Sequence, residues 1–233
     1  MMTPLDLTRP VLVLEAATAA GSVALLCADG SARNIDVPMG VGAADGLFPA
    51  ISTLLSDAGI QAADLSAVVC GAGPGSFTSL RIAAALAKGL AHGMGAPLYA
   101  LPSLALAAAA LPPEAPGGRL LVHADALRGE RYALAVERDS AGHIIWTDAP
   151  TRRSVDDLRD ADVPLVSVGP SPAALASVWE SWPQAAAVGR AEGRWREFPV
   201  DVAAWEPMYG RLAEAQVKWE ASNGRPLPDL RDA

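Results

Sequence analysis

The chain has 233 residues, 51% of them hydrophobic, which is enough apolar sequence for a sizeable core and excludes a disordered chain. A net charge of −8 argues against gripping nucleic acid unaided, because phosphate contacts need clustered Lys and Arg. Two cysteines, Cys27 and Cys70, are too few for a disulfide framework, and both sit in apolar runs where buried thiols are expected.

The elements follow in chain order. Residues 11–14 (VLVL) read as a buried strand, and 22–27 as a second that ends at the turn dipeptide Asp29-Gly30. Val37 closes a third. Between 44 and 58 the apolar residues Leu47, Phe48, Ile51, Leu54 and Leu55 line one helical face, with Gly59 as a stop. Residues 65–70 form a strand before the loop GAGPGSFT (71–78), and 80–91 form an alanine-rich helix. A strand at 98–101 and a helix over 104–111 follow, with Ser103 placed to cap the latter.

The Pro- and Gly-rich stretch 112–118 is the clearest linker. Beyond it, strands are expected at 119–124, 131–138, 143–147 and 163–168, with weakly helical sequence from Ser171 or Ser177. A surface helix is expected over 208–221, then a loose tail. The strand–turn–strand–strand opening occurs twice, so the expected architecture is two related α/β lobes, 1–111 and 112–233. Charge is uneven: residues 1–110 hold 11 charged side chains and 111–233 hold 33. The first half is therefore either more buried or faces a partner.

The glycine-rich loop could be a phosphate cradle, a nucleophile's turn or only a tight turn. It has no lysine after Gly75, Ser76 stands where a third dinucleotide glycine would be, and the positions flanking Ser76 are Pro74 and Thr78 rather than glycine. A catalytic serine is disfavoured; capping by Ser76 or Thr78, with a weak anion contact there, is the remaining expectation. Glu15, ending the first strand, could orient a metal–phosphate group or a water, or only reach solvent; Asp125 holds the same place in the second lobe. No His-x-x-x-His or Cys-x-x-Cys pair is present, and no metal site or catalytic residue is expected. The longest alanine- and leucine-rich run, 104–111, is far too short to span a bilayer, and no secretory signal pattern is visible, so a cytoplasmic location is expected.

GAGPGSFTSLRI (71–82) strongly resembles the GxGPGSFTGLRI stretch of the TsaB family, the dimerisation subunits of the bacterial tRNA threonylcarbamoyladenosine machinery. VLVLEAATAAGSVALL (11–26), GLFPAISTLLSDAGI (46–60), KGLAHGMGAPLYALPSLALAA (88–108), DALRGERYALAV (125–136) and PMYGRLAEAQVKWE (207–220) extend the resemblance. It implies a duplicated actin-like, Hsp70-like (ASKHA) fold. It also implies a noncatalytic subunit that supports a TsaD-type catalytic paralogue, joined by a TsaE-type ATPase, with tRNA met only through the complex. A homodimer in isolation is a further expectation. No cofactor is implied for the chain alone; ATP or ADP could sit at the heterodimer joint.

By the same resemblance, Leu47, Phe48, Ile51 and Leu54, with Leu80, Ala83, Ala84, Ala87 and Leu90, are the expected partner interface, and Glu15, Thr18, Ser76 and Thr78 the candidate cofactor contacts. Glu15 replaces the family's usual aspartate, Ser79 a common glycine, and Ala43 a histidine found in many relatives. An ATP-dependent ASKHA-type kinase is the alternative function, and a peptidase acting on the partner a lesser one.

Overall fold

The structure is a computed structural model, and it describes residues 4–40, 46–175, 179–209 and 222–224. The first lobe begins with β1 (Val11–Glu15), β2 (Ala20–Leu26) and β3 (Ala32–Pro38), then α1 (Leu47–Ala58), β4 (Ala67–Gly71), α2 (Phe77–Met94) and β5 (Leu98–Leu101). Its sheet runs β3-β2-β1-β4-β5, with β1 antiparallel to β2 and parallel to β4. Every residue of β1 and β4 is buried, as their unbroken apolar runs require of strands covered on both faces.

α3 (Ser103–Ala109) leads to the second lobe: β6 (Gly118–Asp125), β7 (Glu130–Arg138), β8 (Ile144–Ile145), β9 (Thr151–Ser154), α4 (Val155–Arg159), β10 (Leu165–Val168) and β11 (Trp179–Glu180). This sheet runs β11-β10-β6-β7-β8, with β9 also on β7. β6 is antiparallel to β7 and parallel to β10, which repeats the pairing of β1 with β2 and β4. The duplication expected from the strand pattern is therefore present in the strand order itself.

α1 and α2 cover one face of the first sheet. Leu47, Ala50, Ile51 and Leu54 of α1 join Ala83, Ala87 and Ala91 of α2 over Leu12, Leu14, Val23 and Leu25. Each helix stops at a left-handed glycine, Gly59 with φ 65° and Gly95 with φ 63°, where a side chain would be strained. The other face of that sheet, with Val11, Val13, Val69 and Tyr99, is covered by the 3-10 turn Ala185–Arg190 and by Trp195. The chain therefore returns from the second lobe to finish the first. This segment carries no periodicity, and the expected lobe boundary did not include it.

α3 belongs to both lobes. All seven of its residues are buried; Leu104, Ala105, Ala107 and Ala108 pack in the second lobe's core, and Leu106 in the first lobe's. Two expected helices change. The sequence from Ser171 turns at Pro172–Leu175 and runs into strand β11, while Ser177 lies outside the described residues. Of the helix expected over 208–221, Met208 and Tyr209 are non-helical and 210–221 lie outside the described residues. None of the described helices is long and apolar enough to cross a membrane.

Candidate functional site

A cleft of about 280 Å³ opens between the lobes, where the ends of β1, β4, β6 and β10 meet. The first lobe contributes Ala17, Thr18, Pro74, Gly75 and Ser76; the second contributes Ala124, Asp125, Leu127 and Val168; Ser103 and Leu104 of α3 form the join.

The turn after β1 and the GAGPGSFT loop close directly on each other. The Ser76 N–H donates to the Ala17 carbonyl at 2.8 Å, and a Cβ on Gly75 would run into that carbonyl. The Gly73 N–H donates to Ser103 Oγ at 3.1 Å, and the Ala17 N–H to Glu15 Oε1 at 2.6 Å. Three amides that a phosphate loop would present are thus engaged within the protein. Thr18 lines the cleft, but its hydroxyl bridges the Ala20 N–H and carbonyl in a tight turn.

Glu15 is fully buried. Its Oε2 has no hydrogen-bond partner among the described residues, and it occupies the space a Cβ on Gly71 would fill. Burial pushes the carboxyl up to about 7; the Ala17 N–H and the nearby Ser103 hydroxyl oppose this only in part. Ser103 is not the N-cap of α3: Pro102 holds that place, and the Ser103 hydroxyl reaches the glycine loop instead.

On the second lobe, Asp125 accepts from the Leu127 N–H at 2.9 Å and lies 3.8 Å from the Arg131 guanidinium. Arg131 is itself buried, with Nε 3.1 Å from His123 Nδ1 and a terminal nitrogen 3.4 Å from Ser167 Oγ. Burial, then the adjacent Arg131 charge, hold the His123 pKa down to about 4, so the ring is neutral at pH 7 and Nδ1 is the acceptor. Pattern reading missed this network, because His123 and Arg131 are eight residues apart and become cross-sheet neighbours only through the β6–β7 register. Asp125 does stand at a strand end as expected, but Glu15 lies inside the protein while Asp125 is exposed.

The outer side of the glycine loop is held by residues 200–209. The Val200 N–H donates to the Leu98 carbonyl, Lys88 Nζ donates to the carbonyls of Trp205 at 2.8 Å and Ala203 at 3.4 Å, and the Met208 N–H donates to the Ala72 carbonyl at 2.8 Å. The Tyr209 ring packs against Phe77 with centroids 4.8 Å apart.

Of the expected cofactor contacts, Thr18 and Ser76 reach the cleft, Glu15 lies behind its lining, and Thr78 is exposed on α2 without lining it. Ser76 takes the N-cap position but makes no side-chain capping bond; its Oγ lies 3.1 Å from Ser79 Oγ. The expected interface needs a larger correction. Leu47, Ile51, Leu54, Leu80, Ala83, Ala84 and Ala87 are all buried in this chain's own structure, and Leu90 is half-buried against the first core. Only Phe48, 60% exposed, is open to a partner. A stripe that meets a partner and a stripe that meets the underlying sheet have the same helical spacing, so periodicity could not tell them apart. Position 43 lies outside the described residues.

Comparison with known proteins connects this geometry to a family. Residues 44–147 match the model described as TsaD, tRNA N6-adenosine threonylcarbamoyltransferase. The tRNA threonylcarbamoyladenosine biosynthesis protein TsaB of Escherichia coli is 29% identical over 143 residues, 59% of this chain and 58% of that protein. The Haemophilus influenzae protein of the same name is 31% identical over 55% of this chain and 54% of its own length. The matches thus span little more than half the length of these relatives. A Pseudomonas aeruginosa crystal structure, described as an uncharacterized protein with similarity to peptidase YEAZ, superposes with a TM-score of 0.71 at 25% identity, over 87% of this chain and 100% of that one. The fold is a duplicated α/β fold, with the same strand pairings repeated in its two sheets.

Proposed function

From its similarity to TsaB proteins, we propose that the chain is a TsaB-family member and a noncatalytic subunit of tRNA threonylcarbamoyladenosine biosynthesis, binding and supporting a TsaD-type catalytic paralogue. One observation carries the noncatalytic part: the two loops facing the inter-lobe cleft close on each other through Ser76 and Ala17. A nucleotide needs free amides or cations at its phosphates. Here the amides of Ala17, Gly73 and Ser76 are engaged, no lysine or arginine is among the cleft residues, and Asp125 adds negative charge. In this reading the engaged amides, and the lack of a lysine or arginine among the described lining residues, weigh against ATP or ADP in the cleft and against the kinase alternative, and a nucleotide in the assembly is assigned to the joint with the paralogue. The peptidase alternative is not supported either, since no histidine is among the described residues lining the cleft.

The partner face consists of the sides of α1 and α2 that the chain does not bury itself. Phe48 and Ser52 are exposed on α1; Arg81, Ala85 and Gly89 are exposed on α2. The small side chains of Ala85 and Gly89 allow a partner helix to approach closely. A TsaE-type ATPase and tRNA join through the complex.

Co-expression with the TsaD-type paralogue tests this. The parent co-purifies as a heterodimer that supports threonylcarbamoyl transfer, and the lone chain gives no heat with ATP and Mg²⁺ on calorimetry. Turnover of ATP by the lone chain, or failure to retain the paralogue, would overturn the reading.

A further inference from the structure

We propose that a second pocket, between the β2–β3 hairpin and the 3-10 turn Ala185–Arg190, binds a small organic acid, with its carboxylate on Arg190 and a short apolar tail against the pocket walls. This pocket shares no lining residue with the inter-lobe cleft and lies apart from α1 and α2, so the inference is independent of the partner reading.

Three segments far apart in sequence build it. Leu26 ends β2 and Ala28 enters the hairpin, Leu7 precedes β1, and Ala186 and Arg190 belong to the 3-10 turn. Hydrogen bonds fix these segments on one another: the Ala185 N–H donates to Ser22 Oγ at 2.9 Å, and the Leu5 N–H to the Arg196 carbonyl at 2.7 Å. The volume, about 490 Å³, is that of a small-molecule site. Leu7, Leu26, Ala28 and Ala186 make the walls apolar, and Arg190 is the one charged side chain among the described lining residues.

The charge around Arg190 is unbalanced. Asp29 accepts from the Ser31 N–H and hydroxyl at 2.9 and 2.6 Å, Asp139 lies 3.0 Å from His143 Nδ1, and Glu192 pairs with Arg196 at 3.0 Å. The acids of the neighbouring turns are thus engaged, and Arg190 makes no ion pair or side-chain hydrogen bond among the described residues. Arg138 adds to the imbalance. It is buried, 5% exposed, and bonds only to the carbonyls of Ala115 and Pro112, at 2.7 and 2.9 Å, while its Nε has no partner among the described residues. The two arginines converge at Gly142: a Cβ there would stand 3.8 Å from Arg138 Cζ and 3.9 Å from Arg190 Cδ. Two neighbouring guanidinium groups without a carboxylate repel each other, and an anion on Arg190 relieves that repulsion. The planar fork of Arg190 suits a carboxylate, and the apolar walls suit a hydrocarbon tail that a bare inorganic anion lacks.

NMR titration of the full, isotope-labelled chain with hexanoate, hexanamide and inorganic phosphate as probes tests the proposal. Hexanoate should shift the amides of Gly30, Ala186 and Gly189 and leave those of Thr18 and Ser76 in place. Hexanamide has the tail without the charge, and phosphate the charge without the tail, so each should bind roughly tenfold more weakly or worse. Arg190→Gln should melt like the parent, since the guanidinium has no bond to lose, and bind hexanoate about tenfold more weakly; Arg190→Lys keeps the charge and should retain part of the affinity. No shifts at millimolar hexanoate, equal binding of hexanamide or phosphate, shifts centred on the cleft, or unchanged affinity in a folded Arg190→Gln variant would each overturn it.

Discussion

The Met208 N–H donates to the Ala72 carbonyl at 2.8 Å, so residues near the end of the described chain clamp the glycine loop from outside while Ser103 holds it from inside. A Cβ on Gly73 would come within 2.6 Å of the Met208 carbonyl, so the two backbones leave no room for a side chain. The loop that looks like a ligand cradle in sequence is a packed junction in the fold.

Lys88 is the pin of the outer clamp. Lys88→Met keeps the aliphatic stem but removes the bonds to Ala203 and Trp205. It should cost about 1–2 kcal/mol and speed hydrogen exchange of the Met208 amide, leaving amides of β1 and β4 protected. Unchanged exchange at Met208 would show that the Val200–Leu98 bond and the Tyr209–Phe77 contact suffice.

Ala83 and Ala87 are buried against the first sheet, so Ala83→Arg or Ala87→Glu should destabilise the fold by several kcal/mol, before any partner is considered. Ala85→Arg lies on the exposed side of α2 and should melt like the parent yet fail to retain the TsaD-type paralogue on gel filtration. Retention by a folded Ala85→Arg variant would move the partner face elsewhere.

Gly75 packs against the Ala17 carbonyl and Gly71 against the Glu15 carboxyl. Gly75→Ala should cost about 1–3 kcal/mol by pushing the two loops apart. Gly71→Ala should cost a similar amount, and less in a Glu15→Ala background where the crowding carboxyl is gone. Thermal melts of the double-mutant cycle give the coupling directly.

Glu15 makes stability depend on pH. Its carboxyl is raised from 4.5 to about 7 in the folded protein, first by burial. Between those values the folded state keeps a proton that the unfolded chain has lost, so this contribution is fully present below pH 4.5 and is lost as pH rises towards 7. The loss is on the order of 2–3 kcal/mol. Urea titrations of the parent and Glu15→Gln at pH 5 and pH 8 should differ by that amount, with the parent showing the larger fall at pH 8. Parallel behaviour of the two would place the titration on another group.

The strands of the first lobe were legible because they are continuous apolar runs bounded by turn residues: 11–14 and 98–101 fall on or within a residue of β1 and β5, and 65–70 within two residues of β4. Gly59 marked the end of α1 for the same local reason. The direction of the α1 and α2 stripes was not legible, because it depends on what lies beneath Ala83 and Ile51 and not on their spacing. Neither was the burial of Glu15, which follows from the missing side chain at Gly71, 56 positions away in sequence. The cleft was half legible: Ser76, Thr18 and Asp125 stood out as polar groups at element ends, whereas Leu127 looked like an ordinary turn residue until its backbone conformation was known.

α3 sets a limit on how this protein can be divided. Its alanines lie in the second lobe's core although they precede the proline-rich linker, and Ser22 Oγ accepts the Ala185 N–H at 2.9 Å from the far end of the chain. A cut at 112 would strip one fragment of its central helix and leave the other with a bare greasy rod. Neither half should be expressible by itself as a well-behaved monomer, while the two co-expressed should reassemble, as split reporters do.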